Sequence, residues 1–478
     1  MSKRSSFGRS LAAVASASAL SLAISILTLL LIPKVMPVDD FGYWQLYIFY
    51  LGYAGFAHLG MLDGLYLEYG GRQLDDLPQR PLRGQFAILT GLQVGGALVL
   101  VVLGTQVGDP NHRLVLFSTA LGLVAVNLRM YFMRLLQAVG KLKHYAVLMV
   151  TDRLLFIVTV VGLLVFKQLT VERMLAVDVA ARFVVLLLAF VMFRSLALGA
   201  LPSVREAFTA SRVSIGIGLP LLASGVANLL VPGFMRISIE RGWPISEFGK
   251  TSLALSVLGL LTTLIATVGT TLFPELRRMD AEQQLRTYRR LRSMILTLGL
   301  LILPMYYVAA LFIMVWLPQY HDSVLFLALL FPAILFETRT NVINIPFCNA
   351  LRKERQMLLA NLTGCLLSAG LAVAVFAIRN LELAMALIGV LMAIQCYLLE
   401  IPVRRKLQVG FPRRDLGVEL VAISIFVASL LLDSALLGFA VACCGSLLGL
   451  ALRGPAARED FGFIAQLVKR ARPGTSQQ

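Results

Sequence analysis

The sequence predicts an all-α polytopic membrane protein with about fourteen transmembrane helices. Three observations predict it. Hydrophobic residues make up 58% of the 478 residues and charged residues 14%, against about 25% charged in an ordinary soluble domain. Apolar runs of roughly 18–24 residues recur from end to end, each long enough to cross a bilayer core as a helix. Basic residues gather in every second gap between those runs, the pattern that fixes the orientation of a multi-span chain.

The spans fall at roughly 11–32, 42–66, 86–107, 114–134, 145–166, 174–195, 214–235, 250–273, 293–314, 322–345, 357–376, 383–400, 416–433 and 434–452. The first follows a basic start, Lys3, Arg4 and Arg9. Its apolar run is too long for the core of a cleavable signal, and the Ala-Ser-Ala sequences stand near its beginning, so it is read as a retained span. With alternating sides, about 32 of the 43 Lys and Arg fall on the side of both termini and about 8 on the other. That side is the cytoplasm, which places Gln283 and Gln408 inside and Gln319 outside. Tyr43, Trp44, Trp243 and Trp316 stand at outer helix ends, as an interfacial aromatic belt requires. The net charge of +17 follows from this topology and does not point to nucleic acid. The five cysteines show no metal or disulfide spacing. No Gly-x-x-x-x-Gly-Lys-Ser/Thr phosphate loop is present. Neither a metal nor a cofactor is expected. Residues 459–472 put Phe461, Ile464, Leu467 and Val468 at helical spacing beside Lys469, Arg470 and Arg472. They read as a helix on the inner membrane surface or as a solvated tail.

An internal repeat organises the chain. Val38-Asp39-Asp40-Phe41-Gly42 precedes the second span and Ile245-Ser246-Glu247-Phe248-Gly249 the eighth. The fourth span exits through Leu136-Gln137-Ala138-Val139-Gly140-Lys141-Leu142-Lys143, and the tenth through Phe347-Cys348-Asn349-Ala350-Leu351-Arg352-Lys353-Glu354. Both pairs lie six spans apart, an even number, so the halves enter the membrane from the same side. The expected architecture is a lobe at 1–200 and a parallel lobe at 201–401 around a central cavity. Two further helices and a basic tail follow at 402–478.

The acidic-Phe-Gly turns, the Gly60-Met-Leu-Asp63-Gly64 ending of span two and Leu272-Phe273-Pro274-Glu275-Leu276-Arg277-Arg278 resemble the polysaccharide exporters. These are the Wzx-type oligosaccharide flippases of the MOP superfamily. The resemblance covers most of the first twelve spans and implies the same two-lobe fold. One departure is Pro232-Gly233-Phe234-Met235-Arg236, which lacks the acidic residue that the family often carries before this arginine.

Charged residues inside apolar spans must face a partner or a wet cavity, since inserting each costs several kcal/mol. Arg129, Arg153, Arg182 and Arg339 are the basic candidates. A guanidinium is a planar, multi-donor partner for phosphate oxygens. Arg129 and Arg339 lie at similar depth in repeat-equivalent helices and are expected to converge on one phosphate. Arg182 stands four residues after Asp178, the spacing of an intrahelical ion pair. Arg134 is close enough to the inner surface to snorkel. Asp63 and Glu337 are the carboxylates that could exchange protons or sit in static bridges, and Glu337, Asn341 and Asn344 form a polar stripe. Tyr47 and Tyr50 share a helix face suited to sugar rings or to packing.

Together these features point to flipping of a polyprenyl-diphosphate-linked oligosaccharide (an O-antigen, capsule or exopolysaccharide unit) from the cytoplasmic to the outer leaflet by alternating access. The chain would be a transporter in a bacterial inner membrane and not an enzyme. Its expected partners are the lipid-linked oligosaccharide, membrane lipids, and a polysaccharide polymerase and glycosyltransferases. Two alternatives stay open. A MATE-like ion-coupled antiporter would favour a cavity rich in carboxylates. A polysaccharide polymerase or ligase needs a substantial outer loop, and here the longest, near 236–249, has about fourteen residues.

Overall fold

In lipid every backbone N–H and C=O must be satisfied within the protein, so apolar runs of this length become helices. The computed structural model describes residues 2–462, with side chains undescribed for 2–15, 264–271, 273 and 274. The basic tail from Ile464 to Arg472 therefore lies outside the described residues. Among the described residues there is no strand.

The helices run in order as α1 (Ser2–Val35), α2 (Val38–Ala54), α3 (Met61–Glu68), α4 (Gln79–Thr105), α5 (Pro110–Ala138), α6 (Leu142–Val165), α7 (Val171–Met192), α8 (Val204–Gly242) and α9 (Ile245–Leu276). Then come α10 (Ala281–Ile302), α11 (Met305–Trp316), α12 (Ser323–Leu330), α13 (Ala333–Arg339), α14 (Ile345–Ala350), α15 (Glu354–Ile378), α16 (Leu381–Leu407), α17 (Arg413–Ser429) and α18 (Ala435–Arg453). A helix or a set of broken helices stands at each of the expected spans. Among the described residues nine helices are long and apolar enough to cross a membrane. Two bent pairs pass the same test together, breaking by 44° after α10 and by 47° after α12. The chain is a multi-pass membrane protein. Leu98 and Val99 on α4 are 60% and 59% exposed, which suits a helix face that meets lipid.

The second span is not the single helix that the apolar run suggests. It breaks at residues 55–60, where Leu59 and Gly60 have φ of 54° and 84°. A Cβ on Gly60 would lie 2.7 Å from the Leu219 backbone nitrogen, and one on Gly64 would collide with the Ser214 carbonyl. Glycine is required by both conformation and close approach. The break frees carbonyls inside the membrane, and two amides take them up. Asn127 donates to Ala54 O at 2.9 Å and to the Gln93 side-chain oxygen at 2.9 Å, while Gln93 donates to Ala57 O at 3.1 Å. Buried polar groups of this kind are the condition for a broken helix at membrane depth.

The chain clusters into two compact units, Met1–Leu229 with Trp243–Ser252, and Leu230–Gly242 with Leu253–Gln478. In the first, α5 packs on α4, α7, α2 and α3, and α1 on α6. Its core includes Met61, Leu82, Tyr131, Phe132, Leu135 and Val185. The two repeated turns touch here reciprocally. Gly42 lies against the Ile245 carbonyl, and Gly249 would place a Cβ 3.2 Å from Val38 O. Val38 and Ile245 hold matching places in the two turns, as do Gly42 and Gly249.

In the second unit α16 packs on α12, α13 and α15, and α17 on α18. Leu276, Tyr288, Ile343, Phe347, Leu399 and Val403 form its core. A π-helical turn, Thr340–Asn344, joins α13 to α14. The wider turn splits the polar stripe read at ordinary helical spacing. Asn341 turns back to the Glu337 carboxylate at 3.1 Å, while Asn344 donates to Cys396 O on α16 at 2.8 Å.

Candidate functional site

Four of the six expected substrate-binding residues meet in the first unit. Arg129 on α5 pairs with Asp152 on α6 at 2.8 Å. One turn of α7 brings Arg182 onto Asp178, with contacts of 2.6 Å and 3.0 Å. Tyr47, fully buried on α2, donates its hydroxyl to the same Asp178 at 2.6 Å. Arg153 on α6 lies within electrostatic reach of Asp152, Arg182, Arg129 and Asp178. The cluster thus holds three guanidiniums and two carboxylates, on four helices that pack directly or through α5.

The arginines are not equivalent. Both aspartates are engaged, and the side chains of Arg129 and Arg182 are only 11% and 14% exposed. Arg153 is exposed, and among the described residues it makes no hydrogen bond or ion pair. It is surrounded by charge and keeps part of its surface open. Arg129 also keeps a buried Nε–H without a partner. A cluster that holds its aspartates in ion pairs and leaves one guanidinium over is suited to an anion.

Tyr50 stands apart from this cluster, with its hydroxyl 3.4 Å from His112 Nε2. Tyr43, on the same face, donates to Asp109 at 2.5 Å. Asp109 also caps α5, accepting from the backbone of Asn111 and His112. Asp63 is 8% exposed and pairs with Arg134 at 3.1 Å. Arg134 is therefore an ion-pair partner across helices, where its position near the span end had suggested snorkelling alone. His58, beside Asp63, accepts a hydrogen bond from the Gly60 backbone at 3.1 Å.

Arg339 and Glu337 belong to the second unit. Arg339 pairs with Glu419 on α17, both side chains 1% exposed, and Tyr397 donates to the other Glu419 oxygen at 2.5 Å. Glu337 meets Asn341, and among the described residues no cation lies within ion-pair distance of it. Nearby, Glu400 accepts from Tyr288 at 2.5 Å and from Arg292 at 2.7 Å, and Arg292 also holds Asp415. Arg453 on α18 binds Ser293 at 2.5 Å, Thr297 and Asp460. These contacts fasten α17 and α18 to α10, α13 and α16. The sequence reading passed over Glu400 and Glu419, although the rule applied to Asp63, a carboxylate within an apolar span, picks out both.

No protein-family model and no curated protein sequence matches the chain. Solved structures do. "Lipid II flippase MurJ, inward closed conformation" is 11% identical, with a TM-score of 0.67 over 93% of this chain and 99% of that one. An inward-facing multidrug resistance MATE family transporter of the MOP superfamily is 12% identical, with a TM-score of 0.54 over 82% and 94%. A MATE in complex with MaL6 is 11% identical, with a TM-score of 0.53 over 83% and 96%. The chain shares the fold of these membrane proteins.

Proposed function

We propose that the chain flips a polyprenyl-diphosphate-linked oligosaccharide across a bacterial inner membrane by alternating access. The observation that carries this is the first-unit cluster, whose three arginines outnumber its two aspartates and whose Arg153 is free to take a ligand. Such a cluster suits a diphosphate and disfavours a cationic drug, so the charge balance argues against the MATE-like reading. The neighbour named as a lipid II flippase supports a lipid-linked substrate. Its companions are named as transporters, which leaves little support for a polymerase or ligase.

In this reading Arg153 contacts the phosphate first. Arg129 and Arg182 shape the positive field, and Tyr47 steadies Asp178. Tyr50 meets the sugar, and Arg339 is a second phosphate ligand in the other repeat. The parallel lobes 1–200 and 201–401, with 402–478 appended, rock about their shared axis. The reciprocal contact of the two Phe-Gly turns supports that symmetry. Glu337 is the first candidate for ion coupling, because protonating it breaks no ion pair. Asp63, held by Arg134, is the second. A polymerase and glycosyltransferases would act on either side of the flipping step.

Reconstituted vesicles test the function. A labelled polyprenyl-diphosphate sugar is expected to cross, whereas the same sugar on an uncharged lipid and an organic cation are not. A Glu337→Gln variant is expected to lose any stimulation by a pH gradient. Transport of the cation in place of the diphosphate would favour the antiporter.

Orientation is tested separately. With both termini cytoplasmic, a cysteine placed at Gln319 in a chain without native cysteines is expected to react with an impermeant thiol reagent in intact cells. Cysteines at Gln283 and Gln408 should stay unlabelled, and labelling at 283 would overturn the proposed sidedness.

A further inference from the structure

The last turn of α16 carries Arg404, Arg405 and Lys406. The helix ends at Gln408, whose φ of 54° is left-handed, and the chain doubles back through Gly410 and Phe411. Between the helix end and the returning chain lies an open cavity of about 480 Å³, lined by Ile401, Arg404, Arg405, Gln408, Val409 and Gly410. The Arg404 guanidinium stacks 4.8 Å over the Phe411 ring, and its buried Nε–H has no partner. Arg405, exposed, makes no hydrogen bond or ion pair among the described residues. No carboxylate lines the cavity. The nearest acids of these elements, Glu400 and Asp415, are both taken up by Arg292.

We infer that this cavity is a phosphate site, occupied by the headgroup of an anionic phospholipid. Two guanidiniums, Arg404 and Arg405, line one cavity with no carboxylate beside them, and planar forks of this kind recognise phosphate oxygens. Depth favours a lipid over a free anion. The α16 helix is a candidate span whose end lies at Leu407, so the cavity sits where headgroups lie. Ile401 lines it and Phe411 stands against Arg404; they are 38% and 48% exposed, an apolar margin against which acyl chains can rest. Basic pockets beside spans on the cytoplasmic side hold anionic headgroups in this way. The bland account is that the three basic residues only offset the negative end of the helix dipole. That account does not explain why two of them share one cavity wall with no carboxylate beside them. The inference stands whether or not the chain is a flippase.

Native mass spectrometry of the full chain in mild detergent reads the site directly. Wild type is expected to retain phosphatidylglycerol and to release phosphatidylcholine. The Arg404→Gln, Arg405→Gln variant should lose phosphatidylglycerol retention about tenfold. A Lys353→Gln, Arg355→Gln variant, with the same loss of charge away from the cavity, should keep it. If the first variant does not fold, the single Arg405→Glu change at an exposed position gives the same readout. Displacement of the lipid by millimolar inorganic phosphate would make the resident a free anion at the same site; resistance to it identifies the lipid. Equal retention of phosphatidylcholine, or unchanged phosphatidylglycerol binding in the cavity variants, would overturn the inference.

Discussion

Arg153→Ala is expected to slow flipping of a polyprenyl-diphosphate substrate by roughly tenfold to a hundredfold, with expression and melting unchanged. The rate loss follows from removing one charge-assisted hydrogen bond to phosphate, worth about 1.5–3 kcal/mol. The unchanged stability follows from geometry, since among the described residues Arg153 has no ion-pair partner to strand. Arg182→Ala should behave differently. It leaves Asp178 buried with only the Tyr47 hydroxyl, and removing one member of a buried pair costs about 3–5 kcal/mol. Its loss of function should therefore come with loss of folded protein. Arg153→Lys keeps the charge without the planar fork and should retain part of the activity. Flipping measured in vesicles beside melting of the same preparations separates the cases. Normal flipping by a well-folded Arg153→Ala protein would mean that this cluster does not meet the phosphate.

The spans were legible because lipid leaves a chain few options. An apolar run of about twenty residues becomes a helix whatever its sequence detail. The pair Asp178–Arg182 was legible for a similar reason, since both members lie on one helix and spacing alone brings them together. Pairs that span helices were not. Arg129 meets Asp152, Arg134 meets Asp63 and Arg339 meets Glu419, and in the last case 80 residues separate the partners. One sequence shows that each needs a partner and cannot say which. The break at Leu59–Gly60 left a trace in its glycines, but a glycine in an apolar run also serves close packing, and Gly64 does so against Ser214. The π-turn at 340–344 left no trace at all. It adds one residue to a helical turn without any change of composition. Arg153 was named among the four arginines, yet its difference from the rest lies in the partner it lacks, which only the packed structure reveals.

Arg339 poses the opposite case, a proposed ligand that also holds the fold. Arg339→Ala is expected to destabilise the protein by about 3–5 kcal/mol, because Glu419 is left buried with Tyr397 as its remaining donor. Alone, this loss would say nothing about substrate. The Arg339→Met, Glu419→Leu double variant separates the roles. It replaces the pair by apolar groups of similar bulk, a change that is often neutral or stabilising, so melting should return to within about 1–2 kcal/mol of wild type. The guanidinium stacks 5.6 Å from the Tyr397 ring and keeps Nε–H and one Nη–H buried without partners. Unpaired buried donors of this kind require an explanation, and a phosphate that arrives during the transport cycle is one. Flipping is therefore expected to stay low in the double variant although its stability recovers. If flipping returns together with melting, Arg339 is an anchor for α17 and the phosphate is held in the first unit alone.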